Sequence, residues 1–378
     1  MTILCLCRAP LNYRAGIPRF CKELYSCYFS SKPILASVAF SSPNQFKRVI
    51  GPYYTELVFP YLFKFGTIAI SLSYISFFVK YIRSSKIIHL NHPDPFSSLL
   101  TLFCYFLLGC TPKIIITWHA EIYKSYPFAA PLLVFLDSLL FNIADHIVYP
   151  TLFHEKSSFL RKLTLDKSKF SVIPLAIDNL PTSYQPRSIQ CVLACDRDLR
   201  LLSVGRLVSY KGYRFAIMAL RWLLDHNEFD FDLHYTIIGH GPLFSSLQSL
   251  VVSLDLVDVV TILSDVDDND KFDFYKNSDL FLFPSISQSE AFGFSQLEAM
   301  SYSIPVLNTC LNNGVNYLCP PDVGFTVTPK SYLEISEGII SICQSQSTYS
   351  SYCHKSFERS TFFNIDNVRS SYQTLFHD

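Results

Sequence analysis

Short apolar runs alternate with longer stretches of helical periodicity along most of the chain. Continuous apolar runs that are separated by helices are typical of parallel strands covered on both faces. The runs predicted to be strands are Thr2–Cys7, Ile34–Phe40, Ile87–Asn91, Ile114–Trp118, Ile147–Tyr149, Ser171–Leu175, Leu201–Val204, Leu233–Gly239, Val259–Leu263, Leu280–Pro284 and Pro305–Asn308.

The strands fall into two sets, and each set predicts one doubly wound, Rossmann-like α/β domain. We expect a first domain over 1–180, a linker over 181–200, a second domain over 201–360, and a C-terminal helix over 361–378 that returns to the first domain. Ligands of open α/β sheets bind outside the carboxyl ends of the strands. The binding site is therefore expected in a cleft between the two domains.

Three apolar stretches raise the question of a membrane helix. Leu57–Val79 is long enough to span a bilayer, but Lys64 interrupts it. Ser97–Cys110 and Ala129–Ile143 are shorter than the roughly 20 residues that a span requires. We interpret the stretches as buried helices of an α/β domain, with a helix that dips into a membrane surface, or a true span, as alternatives.

The 12 cysteines do not form a regular framework. Their closest pairs are not spaced as CxxC, and the spacings typical of zinc ligands do not occur. This usage favours a reducing, cytoplasmic compartment. The first residues lack the charged segment and the long apolar run of a signal peptide and instead predict a first strand.

Charge is balanced overall but not along the chain. Lys and Arg together number 31, as do Asp and Glu, which argues against a nucleic-acid partner held by general electrostatics. Residues 1–180 contain 18 basic and 9 acidic residues, a net charge of +9, and residues 181–378 carry −9. A basic first half with apolar stretches suits an anionic membrane surface, although drift in surface composition would give the same asymmetry.

The densest group of candidate residues lies in the segment that follows the predicted strand ending at Pro284. Glu290 ends a polar loop, and Glu298 lies within the helix predicted to begin near Phe292. Helix N-termini favour anions, so the amides of Phe292, Gly293 and Phe294 could face a diphosphate between the two carboxylates. Equally, Glu290 could be a capping residue and Glu298 a solvated one.

A second group follows the strand Leu201–Val204. Arg206 and Lys211 lie at the carboxyl end of this strand, just before a helix. A planar guanidinium and a mobile ammonium both suit phosphate oxygens, and such cations can neutralise a departing diphosphate. A basic turn in solvent is the simpler alternative.

The first half contributes weaker candidates. His119 follows the strand Ile114–Trp118, and Gly16 follows the first strand, where it could allow the backbone to approach a phosphate or a sugar. A lone histidine is more often structural. Neither GxxxxGK[ST] nor GxGxxG occurs, which weakens the case for a P-loop NTPase or a standard dinucleotide enzyme.

Taken together, these motifs resemble the retaining glycosyltransferases of family 4, which have the two-domain GT-B fold. The resemblance covers nearly the whole chain in the right order and includes a characteristic pair of Glu residues with seven residues between them. The segments that carry it are Gly16, Ile87–Pro93, Thr117–His119, Asp145–Val148, Ile173–Asp178, Gly205–Gly212, Ile238–Pro242 and Glu290–Glu298.

The resemblance implies roles for single residues. Arg206 and Lys211 would bind the diphosphate of a nucleotide-sugar donor, Glu290 would meet hydroxyls of the donor sugar, and Glu298 would bind the ribose. The amides of Phe292, Gly293 and Phe294 would hold phosphate, Gly16 would stand in the early glycine loop of the donor site, and His119 would lie by the reacting sugar and the acceptor.

The same resemblance predicts transfer with retention, no metal and no other cofactor. The donor would be UDP- or GDP-linked, and the acceptor a saccharide, often on a polyprenyl diphosphate, in surface polysaccharide or O-antigen biosynthesis. We expect a peripheral enzyme on the cytoplasmic face of the inner membrane. Two alternatives are a nucleotide-sugar 2-epimerase of related fold, which lacks an acceptor, and a non-catalytic nucleotide-sugar binder.

Overall fold

The computed structural model describes residues 2–12, 16–27, 32–38, 45–65, 68–119, 128–155, 166–178, 180–193, 197–226, 232–264 and 266–377. The chain divides into two compact units. The first comprises residues 1–178 and 364–378, and the second comprises residues 179–363. Residues 181–200, expected as a linker, fall within the second unit in this division.

An eight-stranded sheet forms the centre of the first unit, in the order β10-β9-β8-β7-β1-β2-β4-β3. All neighbouring pairs are parallel except the pair of β3 and β4. A separate hairpin is formed by β5 and β6. The strands are β1 Ile3–Leu6, β2 Ile34–Val38, β3 Lys47–Ile50, β4 Thr55–Phe59, β5 Phe63–Phe65, β6 Ile68–Ile70, β7 Ile87–His92, β8 Lys113–Trp118, β9 His146–Tyr149 and β10 Phe170–Val172.

The described helices of the first unit are α1 Gly16–Tyr25, α2 Leu72–Ile82, α3 Pro95–Leu108, α4 Ala130–Ile143, α5 Leu152–Glu155 and α14 Ile365–His377. Local sequence sets their ends, as α3 shows. Asp94 accepts a hydrogen bond from the backbone N–H of Ser97, Pro95 opens the helix, and Gly109 ends it with a φ of 63°. Burial of all six residues of β7 explains its continuous apolar run.

The second unit contains a six-stranded, fully parallel sheet in the order β13-β12-β11-β14-β15-β16. Its strands are β11 Leu199–Val204, β12 Leu233–Ile238, β13 Val260–Leu263, β14 Leu280–Phe283, β15 Val306–Thr309 and β16 Phe325–Val327. Its described helices are α6 Gln190–Leu193, α7 Tyr213–His226, α8 Phe244–Ser253, α9 Asp268–Asn277, α10 Phe294–Ser301, α11 Gly314–Leu318, α12 Tyr332–Cys343 and α13 Gln346–Ser360.

The prediction of two doubly wound α/β domains is confirmed by these two sheets. The stretch Leu57–Val79, however, is not one buried helix. It holds the end of β4, the β5–β6 hairpin and the first part of α2, so three elements share one apolar run. Among the described residues, no helix is long and apolar enough to cross a membrane.

Candidate functional site

The loop after β11 carries the two predicted cations in different environments. Arg206 is exposed, whereas Lys211, at the end of a short turn formed by Ser209–Lys211, is buried. The Lys211 ammonium lies 4.9 Å from the centre of the Phe283 ring, at the end of β14. This cation–π contact holds the lysine against the neighbouring strand.

Lys211 forms an ion pair with Glu290. Its Nζ lies 2.5 Å from Oε2 of the carboxylate, and each side chain is only 11% exposed. An ion pair that is largely withdrawn from water is screened less than a surface pair, so removing one partner leaves a costly charge behind. The two residues are 79 positions apart in the sequence, and the fold joins their opposite charges in one ion pair.

Backbone contacts bring the two loops together. The N–H of Ile286, in the loop after β14, donates to the carbonyl of Tyr210 over 2.8 Å. Gly212 has a φ of 69°, and a Cβ at this position would collide with the carbonyl oxygen of Pro284. Only glycine therefore allows the loop after β11 to approach the end of β14 this closely.

The turn Gly239–Pro242, which follows β12, packs against the same loop. A Cβ at Gly239 would collide with the carbonyl oxygen of Gly205, and the N–H of Leu207 donates to the carbonyl of His240 over 3.0 Å. Two glycine-containing motifs that are distant in sequence are thus adjacent at the carboxyl ends of β11 and β12. This edge of the sheet is where open α/β sheets bind ligands.

Helix α10 begins at Phe294, two residues later than predicted. Gly293 is its cap residue, with a φ of 88°, and none of the described side chains caps this end. Phe292 is buried before the helix, where its ring contacts that of Phe363 with centroids 5.7 Å apart. A glycine in the left-handed region turns the chain into the helix without placing a side chain over the N-terminus.

Glu298 is only 1% exposed, so the alternative of a solvated helix residue is wrong. Its Oε2 accepts a hydrogen bond from the Tyr275 hydroxyl over 2.6 Å, and its Oε1 lies 3.2 Å from the Lys271 ammonium. Both partners belong to α9. Burial of an ionised carboxylate requires such partners, and here one helix supplies them.

The sequence did not single out several contacts of the predicted site residues. Tyr275 and Lys271 are two of them, and Asn313 is a third, since its side-chain amide donates to the carbonyl of Glu290 over 2.5 Å. Asn313 also caps α11 by accepting from the N–H of Val315. No spacing rule links these residues to the carboxylates, because only the packing of the elements brings them into contact.

The first unit positions Gly16 and His119 on separate elements. Gly16 is the exposed first residue of α1, and residues 13–15 before it lie outside the described part of the chain. His119, buried after β8, contacts the Asn91 side chain through Nε2 at 3.0 Å. Its ring lies edge-on to that of Phe20 in α1, with centroids 5.1 Å apart.

Two further histidines of the first unit are structural. The His92 ring stacks on that of Trp118, with centroids 4.2 Å apart. Nε2 of His92 lies 3.1 Å from the carboxylate of Asp137, a buried acid of α4, and so provides it with a partner. His89 contacts Tyr25 and Thr117 through its two ring nitrogens. Complete burial lowers the pKa of His89 to about 3, so it stays neutral at ordinary pH.

The structure thus brings Lys211 and Glu290 into direct contact and places Arg206 on the same loop. Glu298 contacts two side chains of α9, while Gly16 and His119 lie in the other unit. Within the described ranges there is no group of three or more His, Cys, Asp or Glu side chains arranged to hold a metal ion.

Two α/β units with mainly parallel sheets, the second with glycine-containing loops at the carboxyl ends of its strands, define the class of protein. Over its full length the chain is similar to Anabaena HepE in complex with UDP, with a TM-score of 0.75 and 16% identity over 100% of both chains. It is also similar to sucrose-phosphate synthase from Thermosynechococcus elongatus, with a TM-score of 0.74 and 16% identity over 100% of this chain and 98% of the other. The fold is the GT-B fold.

Sequence comparisons point to the same class. Residues 191–357 match the family model described as glycosyl transferases group 1. The D-rhamnosyltransferase WbpZ of Pseudomonas aeruginosa is 26% identical over 68% of this chain and 64% of its own length. The O-antigen chain mannosyltransferase C of Escherichia coli is 24% identical over 83% of this chain and 81% of its own. These matches support a GT-B glycosyltransferase and give no support to an epimerase.

Proposed function

We propose that this chain is a retaining glycosyltransferase that transfers a sugar from a nucleotide-sugar donor to a saccharide acceptor. The observation that carries the proposal is the buried ion pair of Lys211 and Glu290 at the carboxyl ends of β11 and β14. A cation for the diphosphate and a carboxylate for sugar hydroxyls are adjacent there. The names of the relatives, which are rhamnosyl- and mannosyltransferases, support the same reaction class.

In this proposal the Arg206–Lys211 loop binds the donor diphosphate. Breaking the bond between the anomeric carbon and the diphosphate leaves negative charge on the departing phosphate, which nearby cations stabilise. Lys211 is preplaced by Glu290 and Phe283, and exposed Arg206 closes on the phosphate from the same loop. The side chains supply the positive charge, so the proposed transfer needs no metal or other cofactor.

Binding of the donor would redistribute the charge of the ion pair. Phosphate oxygens would share the Lys211 ammonium, which frees Glu290 to accept hydrogen bonds from hydroxyls of the donor sugar. The Asn313 amide holds the backbone of Glu290 during this exchange. The amides of Phe292, Gly293 and Phe294, where the chain enters α10, would bind the diphosphate from the opposite side.

Glu298 would bind the ribose hydroxyls of the nucleotide, and α9 orients its carboxylate through Tyr275 and Lys271. In the first unit we propose that His119, held by Asn91, acts beside the reacting sugar and the acceptor, and that Gly16 leaves room for the donor. A UDP-linked donor is supported by the UDP named in the HepE structure, and GDP is the alternative.

We further propose a role in O-antigen or other surface polysaccharide biosynthesis, with an acceptor on a polyprenyl diphosphate carrier. The O-antigen mannosyltransferase among the relatives supports this setting. The enzyme would work on the cytoplasmic face of the inner membrane, attached peripherally through its basic first half, which has a net charge of +9 over residues 1–180.

A thermal-shift screen against UDP-, GDP- and other nucleotide-linked sugars tests the proposal. A ligand at 100 times its dissociation constant adds about 2.7 kcal/mol to the unfolding free energy, which is a clear shift of the melting temperature. We expect one nucleotide class to stabilise the protein. Free epimerised nucleotide-sugar formed without an acceptor would favour the epimerase, and a screen without any stabilising nucleotide would contradict donor binding.

A further inference from the structure

Helix α3 is apolar on the side that faces solvent. Its exposed side chains recur at helical spacing on one face, and α3 has no charged residue. A helix that packs on a sheet normally carries polar residues on its outer face. The exposed residues are Leu99, Phe103, Phe106 and Leu107, with exposed fractions of 49%, 45%, 57% and 69%.

Helix α4 packs against α3 and is likewise apolar where it is exposed. Leu132 and Phe135, one turn apart, are 60% and 57% exposed. The β5–β6 hairpin packs against α3 as well and exposes Leu62 and Phe63. We call the six residues of the two helices, Leu99, Phe103, Phe106, Leu107, Leu132 and Phe135, the α3–α4 face. Clustered apolar side chains of this size mark an interaction surface.

The exposed charges on the segments that lead into α3 have one sign, whereas α4 is followed by the exposed acid Asp145. Among the described residues between positions 60 and 143, the exposed charged side chains are Lys64, Lys80, Arg83 and Lys86. The acids of this region, Asp94 and Asp137, are buried, and Asp137 is paired with His92. Arg83 lies close enough to Cys104 of α3 to lower the pKa of its thiol, although burial raises that pKa more strongly.

We infer that the α3–α4 face inserts into the headgroup region of an anionic lipid bilayer. Apolar side chains, several of them aromatic, would enter the interface, and the flanking Lys and Arg residues would reach anionic headgroups with their charged ends. A protein partner would need acidic groups to match the basic rim and an apolar centre, whereas an anionic bilayer offers both along its whole surface. The inference rests on the proposed membrane-borne acceptor and adds the surface that binds the membrane.

Vesicle flotation tests the inference with a matched pair of variants. One carries Phe106→Ser, Leu107→Ser and Phe135→Ser in the α3–α4 face. The control carries Val252→Ser, Val257→Ser and Phe362→Ser, which replace side chains of the second unit that are 66%, 56% and 65% exposed. The vesicles contain phosphatidylcholine alone or with an equal part of phosphatidylglycerol, at low and at high salt.

We expect wild type and control to float with the anionic vesicles, and the α3–α4 variant to partition at least about tenfold less at both salt concentrations. High salt should weaken wild-type binding without abolishing it, because the apolar part of the interaction is not screened. Equal partition of wild type and the α3–α4 variant, or no wild-type binding, would overturn the inference. A wild-type dimer that the variant dissociates, without vesicle binding, would assign the face to a second copy instead.

A second measurement does not depend on whether the triple serine variant folds correctly. Phe106→Trp preserves an aromatic side chain on the face, and its fluorescence should shift to the blue and be quenched by brominated lipid when anionic vesicles are added. An unchanged spectrum would overturn the inference. Nucleotide stabilisation of the α3–α4 variant separates the two proposals, since it tests donor binding and is independent of the lipid result.

Discussion

Lys211 differs from an ordinary surface lysine in that it is buried and two neighbours hold its ammonium. The ring of Phe283 lies beneath the ammonium and the Glu290 carboxylate pairs with it, while Arg206 on the same loop is exposed. A fixed cation can stabilise a departing diphosphate without first losing side-chain freedom, and an exposed one can adjust to different donors.

Lys211→Ala should therefore reduce kcat/KM for sugar transfer by about 100-fold or more, the usual loss when a charge-stabilising donor is removed. Lys276→Ala, which removes an exposed lysine of the same unit, is the control. Steady-state kinetics and thermal unfolding of both variants measure the effect. Near-normal turnover of Lys211→Ala would contradict its role at the diphosphate.

Glu298 owes its orientation to α9. Tyr275→Phe removes only the hydroxyl that donates to Glu298 over 2.6 Å, so we expect the dissociation constant for the nucleoside diphosphate to rise by about tenfold or more, as for a hydrogen bond to a charged group. Titration calorimetry measures it, and Tyr352→Phe, at a partly buried tyrosine of α13, is the control. Unchanged affinity would contradict the role of Tyr275 in orienting Glu298 for nucleotide binding.

At this scale the sequence identified charged residues better than their partners. The spacing of Glu290 and Glu298 and the position of Lys211 after a strand marked all three. It did not reveal that Glu290 pairs with Lys211 or that Glu298 is buried beneath Tyr275 and Lys271, because these contacts join residues 20 or more positions apart. Periodicity carries no information about such pairs.

The elements of the first unit are held together by a buried polar network. His89 of β7 contacts Tyr25 of α1 and Thr117 of β8, and Thr117 contacts the Tyr372 hydroxyl of α14. Four elements thus meet at one neutral imidazole. A histidine whose pKa falls from 6.5 to about 3 on folding binds its proton more readily in the unfolded chain.

Stability of the first unit should therefore fall as the pH is lowered below about 6.5, by about 1.4 kcal/mol for each pH unit until the folded pKa is approached. Above the unfolded pKa the contribution is constant. Denaturant unfolding of wild type and of His89→Gln across this pH range measures the slope. The variant should lose this part of the dependence, and identical slopes would contradict a neutral, buried His89.

Element boundaries were predicted best where a strand is buried on both faces. The predicted Ile87–Asn91 and Leu233–Gly239 differ by one residue from β7 and β12. An exposed strand has no apolar run by which it could be predicted. Strand β3 is exposed at all four residues, and the sequence analysis did not predict it. Leu57–Val79 was misread as one helix because a strand, a hairpin and a helix follow one another there with few polar residues between them.

In the whole molecule, the chain leaves the first unit and returns to it. Helix α14 packs against α1, where Phe376 stacks on Tyr25 and the Arg369 guanidinium bonds the carbonyl of Glu23 and the carboxylate of Asp178. The last helix is therefore part of the first unit, and the second unit is an insertion between two parts of the first.

Removal of residues 364–378 should lower the melting temperature of the first unit, because Tyr372 and Phe376 are buried in wild type. Burial of each large side chain is worth about 1.5–3 kcal/mol. The core of the second unit does not use these residues, so nucleotide binding should persist. Calorimetry with and without nucleotide checks both, and an unchanged melting profile would contradict this role of α14.

The central claim is that the Arg206–Lys211 loop binds the diphosphate of a nucleotide donor, and titration calorimetry with UDP and GDP tests it most directly. The account predicts that wild type binds one of them and that Arg206→Ala combined with Lys211→Ala weakens binding by about 100-fold or more. Arg214→Ala with Lys276→Ala, which removes two other cations of the second unit, should bind like wild type. Equal affinity of both double variants, or no binding of either nucleotide by wild type, would contradict the claim.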